Sequence, residues 1–216
     1  MYDSGQNNLG WFRLKQILRN ALFLFIAALA IALSSTLASA QKFDVAAGIS
    51  SIDAPGTFVA NDINHQPQSL TGGAYLAFSG DFLFHKNIGI QGEFVRKETE
   101  GYNDVLDRNY RPMFYDANAI WTRRFFKRFA PELEAGAGGE TTRIYTGGCG
   151  SSNCYVNRNH FMADFGAGLK IYPSQRHILR HIFIRPEGRF YLIRNNAEFS
   201  SDHAIRYGAS IGYSFK

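Results

Sequence analysis

Apolar and polar residues alternate along most of the chain beyond residue 40. In the stretch 160–172, Phe161, Ala163, Phe165, Ala167, Leu169 and Ile171 alternate with His160, Met162, Asp164, Gly166, Gly168 and Lys170. A period of two marks a β-strand with two unlike faces. About 13 residues is long for a strand of a globular sheet, where five or six is usual.

The same rhythm predicts eight strands. The first covers 42–52, with Phe43, Val45, Ala47 and Ile49 on one face. The second, 72–83, sets Ala74, Leu76 and Phe78 against Tyr75, Ser79 and Asp81, and the third, 88–97, sets Ile88, Ile90 and Phe94 against Gln91, Glu93 and Lys97. The fourth, 112–123, carries Tyr115, Ala117, Ala119 and Trp121 opposite Asp116 and Asn118. The fifth, 130–144, carries Leu133, Ala135 and Ala137 opposite Glu132, Glu134 and Gly136. The sixth and seventh fall within 160–193. The eighth, 204–216, sets Ile205, Tyr207, Ala209, Ile211, Tyr213 and Phe215 against Arg206, Ser210 and Ser214.

Long polar connections (53–71, 98–111, 145–158 and 194–203) alternate with short ones (84–87, 124–129 and 173–179). Antiparallel strands joined in this way put the long loops at one end and the short turns at the other. The expected fold is all-β: one domain, 41–216, forming an eight-stranded antiparallel barrel.

The charges decide which face points inward. Glu93, Asp116, Glu132, Glu134, Asp164, Lys170, Arg185, Glu187, Arg189 and Arg206 all fall on the polar face, mixed with glycine. An eight-stranded barrel is just wide enough to be filled by its own side chains. Both signs of charge on one face suit a lumen in which they pair with each other and never meet lipid. These ten residues are therefore expected to form a lumenal charge network, with the apolar face turned to a membrane. Phe183, Tyr191, Tyr172, Trp121 and Tyr213, near strand ends, fit two readings equally: part of an aromatic girdle, or ordinary strand aromatics.

The first 40 residues change the picture of location. Arg13, Lys15 and Arg19 precede an apolar run from Ala21 to Leu33, and Ala38-Ser39-Ala40 offers a small-residue cleavage site. This pattern reads as a secretory signal peptide, 1–40. The rival reading is a membrane anchor, for which 13 apolar residues fall short of the roughly 20 needed to span.

Composition adds little. The formal charge of +5 falls, without residues 1–40, to 20 Lys and Arg against 17 Asp and Glu. An exported chain with no basic groove signature is not expected to bind nucleic acid. Cys149 and Cys154 lie in "TGGCGSSNCYV", and in an exported chain two cysteines flanking four small or polar residues are expected to form a disulfide. A metal would need more ligands than His160 supplies, so neither a metal site nor a cofactor is expected.

The short turns and adjoining strand ends carry Lys86, Arg123, Arg124, Lys127, Arg128, Arg176 and Arg180 with no acidic residue among them. The long loops and their margins hold Asp53, Asp62, Glu98, Glu100, Asp104, Asp107, Glu140, Glu198 and Asp202. If both chain ends face the periplasm, the basic rim meets the anionic head groups of the inner leaflet.

The chain resembles the small eight-stranded bacterial outer-membrane barrels, the group of the outer membrane protein A transmembrane domain and outer membrane protein X. The resemblance covers 41–216 and rests on the signal peptide, the strand and loop rhythm and the ending "RYGASIGYSFK". In that family the last strand ends on an aromatic residue read by the barrel-assembly machinery. Here Phe215 is next to last, followed by Lys216. The resemblance implies an outer-membrane location, lipid as the surrounding partner and a structural or surface-interaction role. No surface ligand can be named from it.

Three alternatives stand beside this reading. Barrel enzymes that modify lipid A or phospholipid need a serine, a histidine and usually an acid. Ser200, Ser201, Asp202 and His203 contain those types, with His65 and His160 weaker candidates, but adjacency in sequence is not triad geometry and no catalytic residue is expected. A pore usually needs more strands. A soluble lipocalin-like barrel would invert the two faces.

Overall fold

The computed structural model describes residues 42–54, 70–103, 108–125, 128–146, 154–174, 177–194 and 202–215. The proposed signal peptide, Cys149, Lys127, Arg176, His65, Ser200 and Ser201 lie outside the described residues, as does the side chain of Cys154.

Nine strands follow one another: β1 (Lys42–Asp53), β2 (Tyr75–His85), β3 (Ile88–Lys97), β4 (Gly101–Asn103), β5 (Arg108–Thr122), β6 (Phe129–Thr146), β7 (Cys154–Ile171), β8 (Ile182–Ile193) and β9 (His203–Phe215). Every pairing is antiparallel. The sheet runs β3-β2-β1-β9-β8-β7-β6-β5-β4, and β3 also pairs with β5. That last pairing closes the sheet on itself, so no backbone edge is left around the wall. Strands β3 and β4 act as one stave. The partner of Arg96 is Met113 and that of Gly101 is Tyr110, a two-residue offset that marks a bulge between them. The result is an eight-stave antiparallel barrel.

Burial follows the predicted two-residue period. On β3 the pattern alternates strictly, with Ile88, Ile90 and Phe94 exposed and Gln91, Glu93 and Lys97 buried. Phe43, Ile49, Phe78, Leu133, Phe161, Phe165, Ile205 and Ile211 likewise point out of the barrel. A strand of about ten residues tilted by roughly 40° covers ~25 Å of height, the thickness of an outer-membrane apolar band. No described helix is long and apolar enough to cross a membrane, which says nothing about strands.

The barrel differs from the sequence expectation in three ways. Strands β5, β6 and β7 reach further toward the long loops, and β6 and β7 pair over 18 residues, from Phe129↔Ile171 to Thr146↔Cys154. The turn at 173–179 contains part of a 3-10 turn, His177–His181. Glu140, grouped by sequence with the long-loop acids, is completely buried within β6, where it accepts a short hydrogen bond from Thr142.

The aromatic girdle also needs correction. Trp121 and Tyr213 face outward, but Phe183, Tyr191 and Tyr172 are buried in the lumen. Phe183 and Tyr191 share strand parity with Arg185, Glu187 and Arg189, so the pleat sends them inward however close to a strand end they lie.

The lumen is filled in layers. Toward the long loops, Tyr75, Val95, Phe114, Met162, Tyr191 and Ile193 form an apolar plug. The rings of Phe114 and Tyr191 stack with centroids 5.4 Å apart. Toward the short turns, Tyr172 and Phe183 make a smaller cluster with Ala130. Charges occupy the space between.

Candidate functional site: a charged lumen

Four cations from three neighbouring staves reach into the middle layer: Lys170 from β7, Arg185 and Arg189 from β8, and Arg206 from β9. Each is 2% exposed or less. Glycines on β7 make room for them. A Cβ on Gly166 would lie 2.8 Å from Arg189 Cγ, and one on Gly168 would lie 3.4 Å from Arg185 Cγ.

Lys170 sits nearest the short turns. Its Nζ is 2.8 Å from Asp44, 2.6 Å from Asp81 and 2.8 Å from Glu132. Arg185 lies 3.0 Å from Glu132, 2.8 Å from Glu187 and 3.5 Å from Asp81, and donates to Ser79 Oγ at 2.8 Å. Arg189 is the hub. It approaches Glu134 at 2.7 Å, Glu93 at 3.1 Å, Asp116 at 3.4 Å and Asp164 at 3.6 Å, and donates a short hydrogen bond to Gln91. Arg206 joins Glu93 at 2.7 Å to Glu187 at 2.9 Å.

All ten residues that the sequence assigns to this layer face it, and the structure brings them into one connected cluster. Sequence reasoning did not place Asp44, although it alternates with Phe43 and Val45. It also did not foresee that Gln91 and Asn118 would brace the carboxylates. Gln91 donates to Asp81 at 2.8 Å and Asn118 to Asp116 at 2.6 Å. Among the described residues, eight carboxylates (Asp44, Asp81, Glu93, Asp116, Glu132, Glu134, Asp164 and Glu187) meet four cations, so this layer is formally acidic. A charge left alone in such a space would cost several kcal/mol, which is why one guanidinium serves several acids. Among the described residues no group of three or more His, Cys, Asp and Glu could hold a metal ion.

Charges inside and hydrocarbon outside, on a closed sheet, invert the arrangement of a water-soluble barrel. In structure the chain matches Neisserial surface protein A with a TM-score of 0.55 at 11% identity, covering 82% of this chain and 98% of that one. It matches Ail, the attachment invasion locus protein of Yersinia pestis, with a TM-score of 0.53 at 14% identity, covering 82% and 100%. The chain has the fold of the small eight-stranded outer-membrane β-barrels. A major outer membrane protein from Thermus thermophilus also matches, with a TM-score of 0.51 at 9% identity, covering 82% and 100%. No protein-family profile matches the chain, and no curated protein matches it in sequence.

At the short-turn end of this outer-membrane barrel fold, Lys86, Arg123, Arg124, Arg128 and Arg180 are exposed. At the long-loop end, Asp202 and His203 pair through Oδ1 and Nδ1 at 2.7 Å. That hydrogen bond holds the Asp202 carboxyl below its ordinary range. His160 faces Glu140 at 3.9 Å.

Proposed function

We propose that the protein is a non-enzymatic integral barrel of the bacterial outer membrane, exported through a cleaved signal peptide, residues 1–40, and acting in envelope structure or surface contact. One observation carries the reading: a closed barrel whose charges face inward and whose apolar side chains face outward. So many large apolar groups around the whole circumference are stable against lipid and a severe liability in water. Both ends of the barrel wall, Lys42 and Phe215, lie with the short turns, and this end faces the periplasm. The exposed Lys86, Arg123, Arg124, Arg128 and Arg180, with Lys127 and Arg176, then meet anionic head groups at about 1 kcal/mol for each well-placed cation.

The long loops face outward and carry recognition, since loops on a rigid scaffold are free to vary. Ail is known in complex with the heparin analogue sucrose octasulfate, which supports surface contact as the kind of role such a barrel performs. Cys149 and Cys154 form a disulfide that shapes the third long loop. The barrel-assembly machinery inserts the chain, with β9 and Phe215 as its signal. The filled lumen opposes a pore.

Membrane fractionation combined with gel mobility before and after heating tests the proposal. The expected result is a membrane-bound protein whose unheated form migrates differently from its heated form. Recovery in the aqueous fraction overturns the membrane reading. Loss of a lipid A or phospholipid hydrolysing activity in His203→Ala would overturn the non-enzymatic part.

A further inference from the structure

The mouth of the barrel at the short-turn end opens into a cavity of about 250 Å³. Lys42, the first residue of β1, lines it together with Lys86 in the β2–β3 turn and Arg123 and Arg124 after β5. Lys170 and Asp44 form its floor. The turn is fixed against the wall, since the Thr122 backbone N–H donates to the Asn87 carbonyl at 2.8 Å. Arg124 is held in place by stacking on Tyr172, its guanidinium carbon 3.6 Å from the ring centre. The Tyr172 hydroxyl in turn lies 3.2 Å from Ser214 Oγ.

Two independent features point to an occupant. Besides Lys170, which Asp44 holds, and Arg124, which rests on Tyr172, the cations Lys42, Lys86 and Arg123 from three separate chain segments line one small space, where like charges repel. Among the described residues the only carboxylate lining that space, Asp44, already holds Lys170 at 2.8 Å through Oδ2. In addition, Thr122 is only 7% exposed, and its Oγ1 has no hydrogen-bond partner among the described residues although the residue lines the cavity. Asp44 Oδ1 is likewise buried and without a hydrogen bond among them. An unpaired buried hydroxyl and an unpaired carboxylate oxygen each cost free energy that a bound ligand would recover.

We propose that this vestibule binds a phosphate-bearing ligand. Its anionic oxygens lie among Lys42, Lys86, Arg123 and Arg124, and a hydroxyl or amine on the same ligand donates to Asp44 Oδ1. Thr122 Oγ1 donates to the phosphate. The volume falls below the roughly 300–1,000 Å³ of drug-sized pockets. A lipid head group or a single sugar phosphate fits it, and an oligosaccharide does not. The competing explanation is electrostatic only: the rim cations offset the acidic layer beneath them and bind nothing.

The test uses the folded protein in dodecyl maltoside micelles, which carry no phosphate. Inorganic phosphate and glycerol 3-phosphate are titrated at constant ionic strength, following the backbone amides of Asn87, Thr122 and Arg123 by NMR. Saturable shifts confined to the vestibule are expected, stronger for glycerol 3-phosphate. Affinity should fall at least tenfold in Lys42→Gln/Lys86→Gln and about threefold in Thr122→Val, with heat-modifiable mobility unchanged. Phosphatidylglycerol added to the micelles separates the two sources. If it shifts the same amides and blocks the phosphate titration, the ligand is a lipid head group. If it leaves that titration intact, the ligand is soluble. Absence of saturable shifts with every probe overturns the proposal, as do equal affinities in the double variant. A double variant that loses stability while the native protein binds no phosphate establishes the purely electrostatic role instead.

Discussion

Replacing Arg189 with leucine removes the hub of the lumenal network. The guanidinium lies within 3.6 Å of four carboxylates, those of Glu134, Glu93, Asp116 and Asp164. After its loss only Arg206 still reaches Glu93, at 2.7 Å, and no other cation pairs with Glu134, Asp116 or Asp164 among the described residues. Removing one partner of a buried ion pair typically costs about 3–5 kcal/mol, because the other charge stays behind. With three acids stranded at once, Arg189→Leu is expected at the upper end, a loss of about 4–5 kcal/mol. The double variant Arg189→Leu/Glu134→Leu deletes a charge of each sign and restores the native charge balance. It should recover about 2 kcal/mol or more, since replacing a whole buried pair by apolar groups is often neutral. Urea unfolding in lipid vesicles reads the difference. Trp121, the single tryptophan of residues 41–216, faces outward on β5 and reports it by fluorescence. A loss below about 1 kcal/mol in the single variant would refute the reasoning, because it would mean the stranded acids are solvated by water rather than held by arginine.

Two smaller perturbations separate packing from polarity. The Tyr191 hydroxyl is buried without a hydrogen-bond partner among the described residues while its ring stacks on Phe114. Tyr191→Phe should therefore be neutral or stabilising by up to about 1 kcal/mol, whereas Tyr191→Ala should cost about 3–5 kcal/mol. Thermal unfolding of both checks this, and a destabilised Phe variant would reveal a partner for the hydroxyl. A Cβ on Gly166 would meet Glu134 Oε1 at 2.5 Å and Arg189 Cγ at 2.8 Å. Gly166→Ala is thus expected to displace the hub and cost about 1–3 kcal/mol, and unchanged stability would show that the network moves aside freely.

The division of labour within the lumen explains why the barrel needs no apolar core in its centre. The apolar plug toward the long loops closes the charged layer on that side, and the Tyr172–Phe183 cluster narrows it toward the short turns, where Lys170 and Asp44 meet the mouth cavity. Low dielectric strengthens every pair inside that layer and raises the cost of every unmet group. The layer therefore fixes the side chains of opposite staves to one another: Lys170 on β7 reaches Asp44 on β1 and Asp81 on β2 across the lumen. Register is held by these contacts as well as by the backbone ladder, since a slip of one residue would turn every charge toward the apolar exterior.

The third long connection, 145–158, was misjudged, since β6 runs to Thr146 and β7 starts at Cys154, but strand number and the inward and outward faces were legible in the sequence. The reason is local: the pleat converts a two-residue period directly into two faces, so Phe43 or Glu93 declares its side without reference to any distant residue. Sequence also showed that the polar face carried both signs of charge, hence a lumen able to pair them. The tertiary structure alone decided which acid meets which base. Arg189 and Glu93 are far apart in the chain, and their 3.1 Å separation depends on the tilt and closure of the whole barrel. The same is true of the mouth cavity, where Lys42, Lys86 and Arg124 come from turns and ends that meet only when β3 pairs with β5 and the sheet closes. The misplaced aromatics show the boundary between the two. Nearness to a strand end suggested an exterior girdle for Phe183 and Tyr191, but their parity sends them inside, and closure supplies the neighbours that bury them. Periodicity is a property of adjacent residues and survives in one dimension. Pairing across the lumen is a property of closure and exists only in three.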